Sequence, residues 1–191
     1  MKKSLKDYLF KTSFLNKQLC NETIKDLQKI KKSNWQEHTF YNLKNKELIK
    51  LSDNNELDIL YTNEIKNTKI ITDNLWNQIN SYIKNLNFPW FEGWNGYTQI
   101  RYNRYTENKK MALHCDHIQS MFDGERKGIP ILSCLGFLND DYDGGEFIMF
   151  DDYEIKIKQG DLLIFPSNFM YPHKVKPVKK GIRYSFISWV W

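Results

Sequence analysis

The 191-residue chain carries 28 Lys and Arg against 23 Asp and Glu, a net charge of +5, and is 41% hydrophobic and 15% aromatic. That length supports one domain with a real core and excludes two comfortable ones, and that apolar content excludes a disordered chain. The lysines gather in the N-terminal third and around Lys174 to Lys180. With no Arg-rich block beside them, they read as a solvated face and not as a nucleic-acid footprint.

Met1 to Lys11 is basic at its start, but Lys6, Asp7 and Lys11 interrupt it, so it does not read as a secretory leader. No apolar run approaches membrane length. Asn16 to Lys32 spaces Leu19, Ile24, Leu27 and Ile30 three to five apart, which predicts an amphipathic helix. Asn34 to Asn55 is polar and weakly patterned, with one strand expected at Trp35 to Asn42. A second helix is predicted at Thr72 to Leu86, where Leu75, Trp76, Ile79, Tyr82, Ile83 and Leu86 form one stripe. Thr72 or Asp73 is available as its N-cap, and Pro89 as its stop.

After Gly96 the period changes. Strands are expected at Tyr97 to Tyr105, Ile131 to Leu138, Glu146 to Phe150, Tyr153 to Ile157, Leu162 to Phe165 and Arg183 to Val190. Asp143-Gly144-Gly145, Asp151-Asp152, Gln159-Gly160-Asp161 and Lys180-Gly181 are turn signals between them. Many short strands joined by tight turns point to a mainly β sandwich or jelly roll, with the two helices flanking one sheet face. The expectation is one domain over 1–191, with 1–95 as helical and β support and 96–191 as the jelly-roll core. The polar connection His117 to Pro130, with Met121, Gly124 and Gly128, is a candidate lid. Trp90, Trp94 and Tyr97 are candidates for a substrate groove, with core packing as the plainer alternative. Three cysteines, Cys20, Cys115 and Cys134, form no disulfide framework, so a reducing, cytoplasmic setting is expected.

The chemistry concentrates in the β-rich half. On a strand, His114 and Asp116 would share a face while Cys115 points away. His173 follows 57 positions after Asp116, and a jelly roll can bring the two segments together. Two imidazoles and one carboxylate on one side of a metal leave the opposite positions open, an arrangement suited to non-haem Fe(II). Ten residues beyond His173, Arg183 and Ser185 again share a strand face. A buried Arg needs an anionic partner, and its planar fork matches a carboxylate. Two decoys fall away. His114 to His117 are too close in sequence to surround one tetrahedral zinc. Asn139 to Gly144 imitates the start of a calcium loop, but Phe150 stands where that loop needs a bidentate Glu.

Four segments carry a family resemblance. They are Tyr105-Thr106-Glu107-Asn108-Lys109-Lys110-Met111-Ala112-Leu113-His114-Cys115-Asp116, Leu138 to Phe147, Gly160 to Pro166, and His173 to Ser185. In this order, over roughly residues 97 to 191, they resemble the prolyl-hydroxylase branch of the Fe(II)/2-oxoglutarate dioxygenases. The resemblance implies a double-stranded β-helix, or cupin-like jelly roll. It implies Fe(II), with 2-oxoglutarate and O₂ as cosubstrates. It assigns iron ligation to His114, Asp116 and His173, and the distal carboxylate of 2-oxoglutarate to Arg183, with Ser185 adding a bond. Tyr105 would lie along the cosubstrate and Trp189 would pack near the iron. Asn108 stands where the family has Gly, though Asn tolerates the left-handed conformation. Phe137 stands where some members carry a second cosubstrate-binding Tyr.

The implied activity is hydroxylation of a C–H bond, in the first place as a peptidyl-proline 4-hydroxylase acting on a protein or peptide. Hydroxylation of a free amino acid or other small metabolite is the alternative. Asp116, in place of Gly or Ala, points away from halogenation. Repair of alkylated nucleic acid is not expected, because no second arginine follows Arg183. A non-catalytic metal-binding jelly roll is the alternative of a different class, and loss of a triad residue or of Arg183 would have favoured it.

Overall fold

A computed structural model of the protein describes residues 3–42, 47–50, 53, 55–88, 96–116 and 130–191. The expectations placed on Pro89, Trp90, Trp94, His117 and all of the His117 to Pro130 lid but Pro130 itself lie outside the described residues.

The first half contains strand β1 (Phe10–Ser13), helix α1 (Lys17–Lys29), strands β2 (Gln36–Glu37), β3 (Phe40–Asn42), β4 (Glu47–Ile49) and β5 (Asp58–Leu60), and helix α2 (Thr68–Leu86). The second half is built of strands β6 (Arg101–Tyr105), β7 (Met111–His114), β8 (Leu132–Phe137), β9 (Asp143–Gly144), β10 (Phe147–Met149), β11 (Tyr153–Ile155), β12 (Asp161–Pro166), β13 (His173–Val175), β14 (Val178–Lys180) and β15 (Arg183–Val190). Seven strands form one sheet in the order β1-β12-β8-β15-β6-β5-β2, and four form a second in the order β11-β10-β13-β7. Strands β6, β8, β12 and β15 of the larger sheet alternate along the chain with β7, β10 and β13 of the smaller one, which is the winding of a jelly roll.

Both helices form for local reasons. The Asn16 side chain caps α1 by accepting the Leu19 N–H at 2.8 Å, the capping role for which Asn is well suited. Helix α2 begins four residues earlier than the apolar stripe suggested. Ile71 belongs to its buried face with Leu75, Ile79 and Tyr82, and the Thr72 hydroxyl donates to the Thr68 carbonyl at 2.8 Å. Thr72 is therefore an interior residue and not a cap. The helix ends on Asn87, which adopts φ 49 and returns its N–H to the Ile83 carbonyl, a left-handed stop that Asn takes readily. Trp76 lies off the buried face at 47% exposure. No helix among the described residues is long and apolar enough to cross a membrane.

The two-residue period of the larger sheet divides its side chains between two cores. Tyr184, Phe186 and Val190 of β15, Leu132 and Cys134 of β8, Leu162 and Ile164 of β12 and Tyr102 of β6 face the helices, where they meet Leu27, Leu75 and Ile79. Their sequence neighbours Ile187, Trp189, Leu135, Phe137, Leu163, Phe165 and Tyr105 face the smaller sheet and meet Phe147, Met149 and Val175. Gly136 is required on the helix-facing side. It is the register partner of Phe186, and a Cβ there would lie 2.1 Å from the Phe186 ring. The ring occupies the space a side chain would need.

Several strands differ from their predicted spans. The expected strand at Glu146 to Phe150 stops at Met149, because Phe150 turns into the left-handed region at φ 57. The Trp35 to Asn42 segment is two short strands, β2 and β3. Asp143-Gly144, expected as a turn, forms a short ladder with β14. Tyr97 makes an isolated bridge to Val190, meets the exposed Trp76 and is partly buried against the helix-side core. Asn108 has φ 67.

Candidate metal centre

Strands β7 and β13 pair so that His114 and His173 are register partners, which brings residues 59 positions apart to the same rung of the smaller sheet. The strand ends at His114, and Asp116 lies just beyond it. His114 Nε2 is 3.3 Å and His173 Nε2 3.7 Å from the same oxygen, Asp116 Oδ1. One ligand atom from each of the three residues lies within 4.8 Å of the others. Asp116 and His173 are buried, and His114 is half-buried.

Hydrogen bonds on the far sides of these groups aim them. His114 Nδ1 meets the Ala112 carbonyl at 2.8 Å and His173 Nδ1 the Tyr171 carbonyl at 3.0 Å. A carbonyl only accepts, so each Nδ1 carries a proton and each Nε2 is the ring nitrogen turned to the centre. Asp116 Oδ2 accepts the Ser133 hydroxyl at 2.6 Å, leaving Oδ1 for the centre. Burial raises the Asp116 carboxyl, but His173, His114 and Ser133 outweigh it and hold the group well below the usual carboxylate range. Burial pushes His173 down to about 4, helped by His114 and opposed by Asp116. Near neutral pH the set is therefore one carboxylate with a neutral buried imidazole ready to ligate. The His173 ring is held between Phe147 and Phe165, with centroids 5.4 and 5.2 Å away.

Arg183 forms the floor of the same interior. It is 1% exposed. Its guanidinium lies over Tyr105 at 4.6 Å and near Phe137 at 5.5 Å. Nη1 donates to Ser185 Oγ at 3.3 Å, while Nε and Nη2 are buried with no partner among the described residues. No carboxylate pairs with Arg183 among the described residues. Burial raises the Tyr105 phenol, against the pull of Arg183 and Arg101. Trp189, on the same face of β15, has its buried Nε1 unpartnered.

These observations test the groups that the chemistry calls for. Two imidazoles and a carboxylate, open on one side, fit a ferrous ion that must accept further ligands. A buried guanidinium with two orphaned nitrogens fits the far carboxylate of a dicarboxylic acid. A cavity of about 860 Å³ lies elsewhere, between the N-terminal segment, α2 and Tyr171, and touches none of these side chains.

The sequence pattern did not single out Ser133, although a signal was present. In the buried run Leu132-Ser133-Cys134-Leu135-Gly136-Phe137 it is the polar residue at the inward phase, two positions from Leu135. His38, whose buried Nδ1 has no partner, was passed over because it lies outside the β-rich half. Arg101 was passed over because nothing local marks its strand neighbours.

A jelly roll holding two histidines and a carboxylate is the frame of a non-haem iron oxygenase, and the comparisons agree. Residues 100–191 match the family model described as the 2OG-Fe(II) oxygenase superfamily. A PKHD-type hydroxylase of Xylella fastidiosa strain M12 is 39% identical over 100 residues, covering 47% of this chain and 43% of that protein. A PKHD-type hydroxylase of Herminiimonas arsenicoxydans is 36% identical over 95 residues, covering 47% and 41%. The match thus spans less than half the length of these relatives. In fold, the chain resembles a Trichoplax adhaerens prolyl hydroxylase solved with a hypoxia-inducible-factor peptide, with a TM-score of 0.69 at 17% identity over 96% of this chain and 83% of that one. It also resembles a Pseudomonas putida prolyl-4-hydroxylase, with a TM-score of 0.64 at 16% identity over 96% and 91%.

Proposed function

We propose that the protein is an Fe(II)- and 2-oxoglutarate-dependent hydroxylase whose substrate is a prolyl residue in a protein or peptide. His114, Asp116 and His173 would hold the iron, and Arg183, with Ser185 and Tyr105 beside it, would hold the cosubstrate's distal carboxylate. When bound, iron and 2-oxoglutarate use O₂ to convert a substrate C–H to C–OH, with succinate and CO₂ released. The chain's own part is positional. Ser133 and the backbone carbonyls of Ala112 and Tyr171 orient the ligands, Phe147 and Phe165 shield His173 from water, and Tyr105 and Phe137 wall the guanidinium.

The observation that carries the proposal is a fully buried guanidinium with no carboxylate partner among the described residues, in the same interior as a three-ligand centre. The likeness to prolyl hydroxylases and PKHD-type hydroxylases supports a peptidyl substrate. The reducing, cytoplasmic setting expected from the cysteines belongs to the same proposal. All three are free thiols, and burial pushes the Cys20 thiol up to about 11.

The test is an anaerobic titration with iron and 2-oxoglutarate, followed by oxygen and a panel of proline peptides and free amino acids. The expected result is stoichiometric succinate and a peptide product one oxygen heavier. No succinate from the iron-loaded protein would refute the proposal, and hydroxylation confined to free amino acids would move the substrate class.

A further inference from the structure

Four of the chain's 28 basic residues are arginines: Arg101, Arg104, Arg126 and Arg183. In so lysine-rich a chain, the planar guanidinium stands where a point charge would not serve. The three described arginines share one feature, since each stacks on an aromatic ring. Arg104 lies over Trp35 at 4.3 Å, Arg183 over Tyr105 at 4.6 Å and Arg101 over Trp189 at 4.8 Å. They differ in what the fork meets. Arg104 is complete, donating through Nε and Nη2 to Asp58 Oδ2 at 3.2 and 3.0 Å. Arg183 lacks its carboxylate, and the cosubstrate would supply it. Arg101 also lacks one. Its Nε donates to Asn103 Oδ1 at 3.1 Å, while its terminal nitrogens have no carboxylate or hydrogen-bond partner among the described residues.

The position of Arg101 is informative. Arg101 alternates with Tyr102, which faces the helices, so it shares the inward face of β6 with Asn103 and Tyr105. Arg183 pairs with Tyr105 and Ile187 with Arg101, so the two guanidinium-bearing rungs are four residues apart, about 13 Å along the strand. Arg183, at 1% exposure, is the floor of the interior, and half-buried Arg101 stands toward its rim. The iron-ligand set adjoins the rim rungs, because Trp189 under Arg101 is the register partner of Ser133, which holds Asp116. His38 borders the same region. Burial, then Arg101 and His114, push it down to about 3.

We propose that Arg101, stacked on Trp189, is the substrate-recognition residue of this site and takes a carboxylate carried by the substrate. This rests on the hydroxylase reading above and adds a substrate class to it. The carboxylate has two possible sources, an acidic side chain next to the hydroxylated residue of a peptide or the free carboxylate of an amino acid, and the fork recognises both in the same way.

The test uses the whole chain loaded with Mn(II) and 2-oxoglutarate, which binds without turnover, and calorimetric titration with matched probes. One set is short proline peptides with Glu, Gln or Lys at each flanking position, and the other is L-proline against L-prolinamide. At one position the Glu peptide should bind at least about tenfold more tightly than its Gln twin, the loss expected when a charge-assisted hydrogen bond is removed. If the source is a free carboxylate, the proline pair shows that preference instead. Arg101→Leu should erase it, Arg101→Lys keep part of it, and Arg101→Glu turn it toward the Lys peptide. Equal affinities within every pair, no binding included, overturn the inference, as does a preference that survives Arg101→Leu. Succinate formation by the iron-loaded protein is scored separately. Its absence refutes the hydroxylase reading, whereas its presence without charge discrimination refutes only the role of Arg101.

Discussion

Replacing Arg183 with Met separates a ligand-binding role from a structural one, because the two roles predict opposite signs. In the unliganded protein the guanidinium is buried with Nε and Nη2 unpaired, and an unpaired ion in the interior costs several kcal/mol. Stacking on Tyr105 and Phe137 returns about 2 kcal/mol of that. Met is unbranched, fills a similar channel and needs no partner. Unliganded Arg183→Met should therefore be as stable as the parent or more so, by up to about 4 kcal/mol. The ligand response should go the other way. A hundredfold excess of 2-oxoglutarate over its Kd stabilises the native state by about 2.7 kcal/mol, which is about 5 to 11 °C in Tm for a chain of this size. Thermal unfolding of both proteins with Mn(II), with and without 2-oxoglutarate, gives all four numbers. The parent should show the upward shift and Arg183→Met should lose it. An equal shift in both, or an unliganded variant melting well below the parent, would refute the argument that this cation waits for an acid.

Three further substitutions test the surroundings. His173→Ala removes one of three ligands and should abolish both stoichiometric Fe(II) binding in an anaerobic titration and iron-dependent succinate formation; an unchanged titration would remove His173 from the centre. Ser133→Ala leaves Asp116 Oδ2 without its donor and should weaken metal affinity about 10- to 100-fold with little change in Tm, whereas parental affinity would make the Ser133 bond incidental. Gly136→Ala forces a Cβ into the Phe186 ring and should destabilise by about 1–3 kcal/mol in urea unfolding. The double variant with Phe186→Leu should recover part of that loss, and additive losses would show that the two sites do not touch.

What could be read from the sequence followed from interactions that are local or periodic. The α1 stripe, the inward pairing of Arg183 with Ser185 and most of the strand positions are of this kind. The start of α2 was misjudged because Thr72 looks like a cap, whereas its hydroxyl bonds back within the helix and Ile71 extends the buried face upstream. Strands β1 and β5 were missed because three or four residues carry too little alternation to register. Ser133, Arg101 and His38 escaped for another reason. Their roles depend on which strands lie side by side, and a partner such as Trp189, 88 residues from Arg101, is not a pattern along the chain.

The division of the larger sheet into two faces also separates stability from chemistry. Of the buried polar side-chain atoms without a partner among the described residues, one, Trp35 Nε1, lies on the helix side. The others belong to Arg183 and Trp189 on the inner face, to Glu56, which accepts the Ala112 N–H beside His114, and to His38. Native interiors rarely leave such groups unpaired, and their concentration on one side marks where a ligand completes the structure. The helix-side core, with Phe186 seated on Gly136 and Ile71, Leu75 and Ile79 behind it, can stabilise the fold without them. One alternation sets both faces: a one-residue slip of β15 would send Arg183 and Trp189 into the helix core and Tyr184 and Phe186 into the site. The inner face is therefore tolerant of incomplete pairing but not of a change in register.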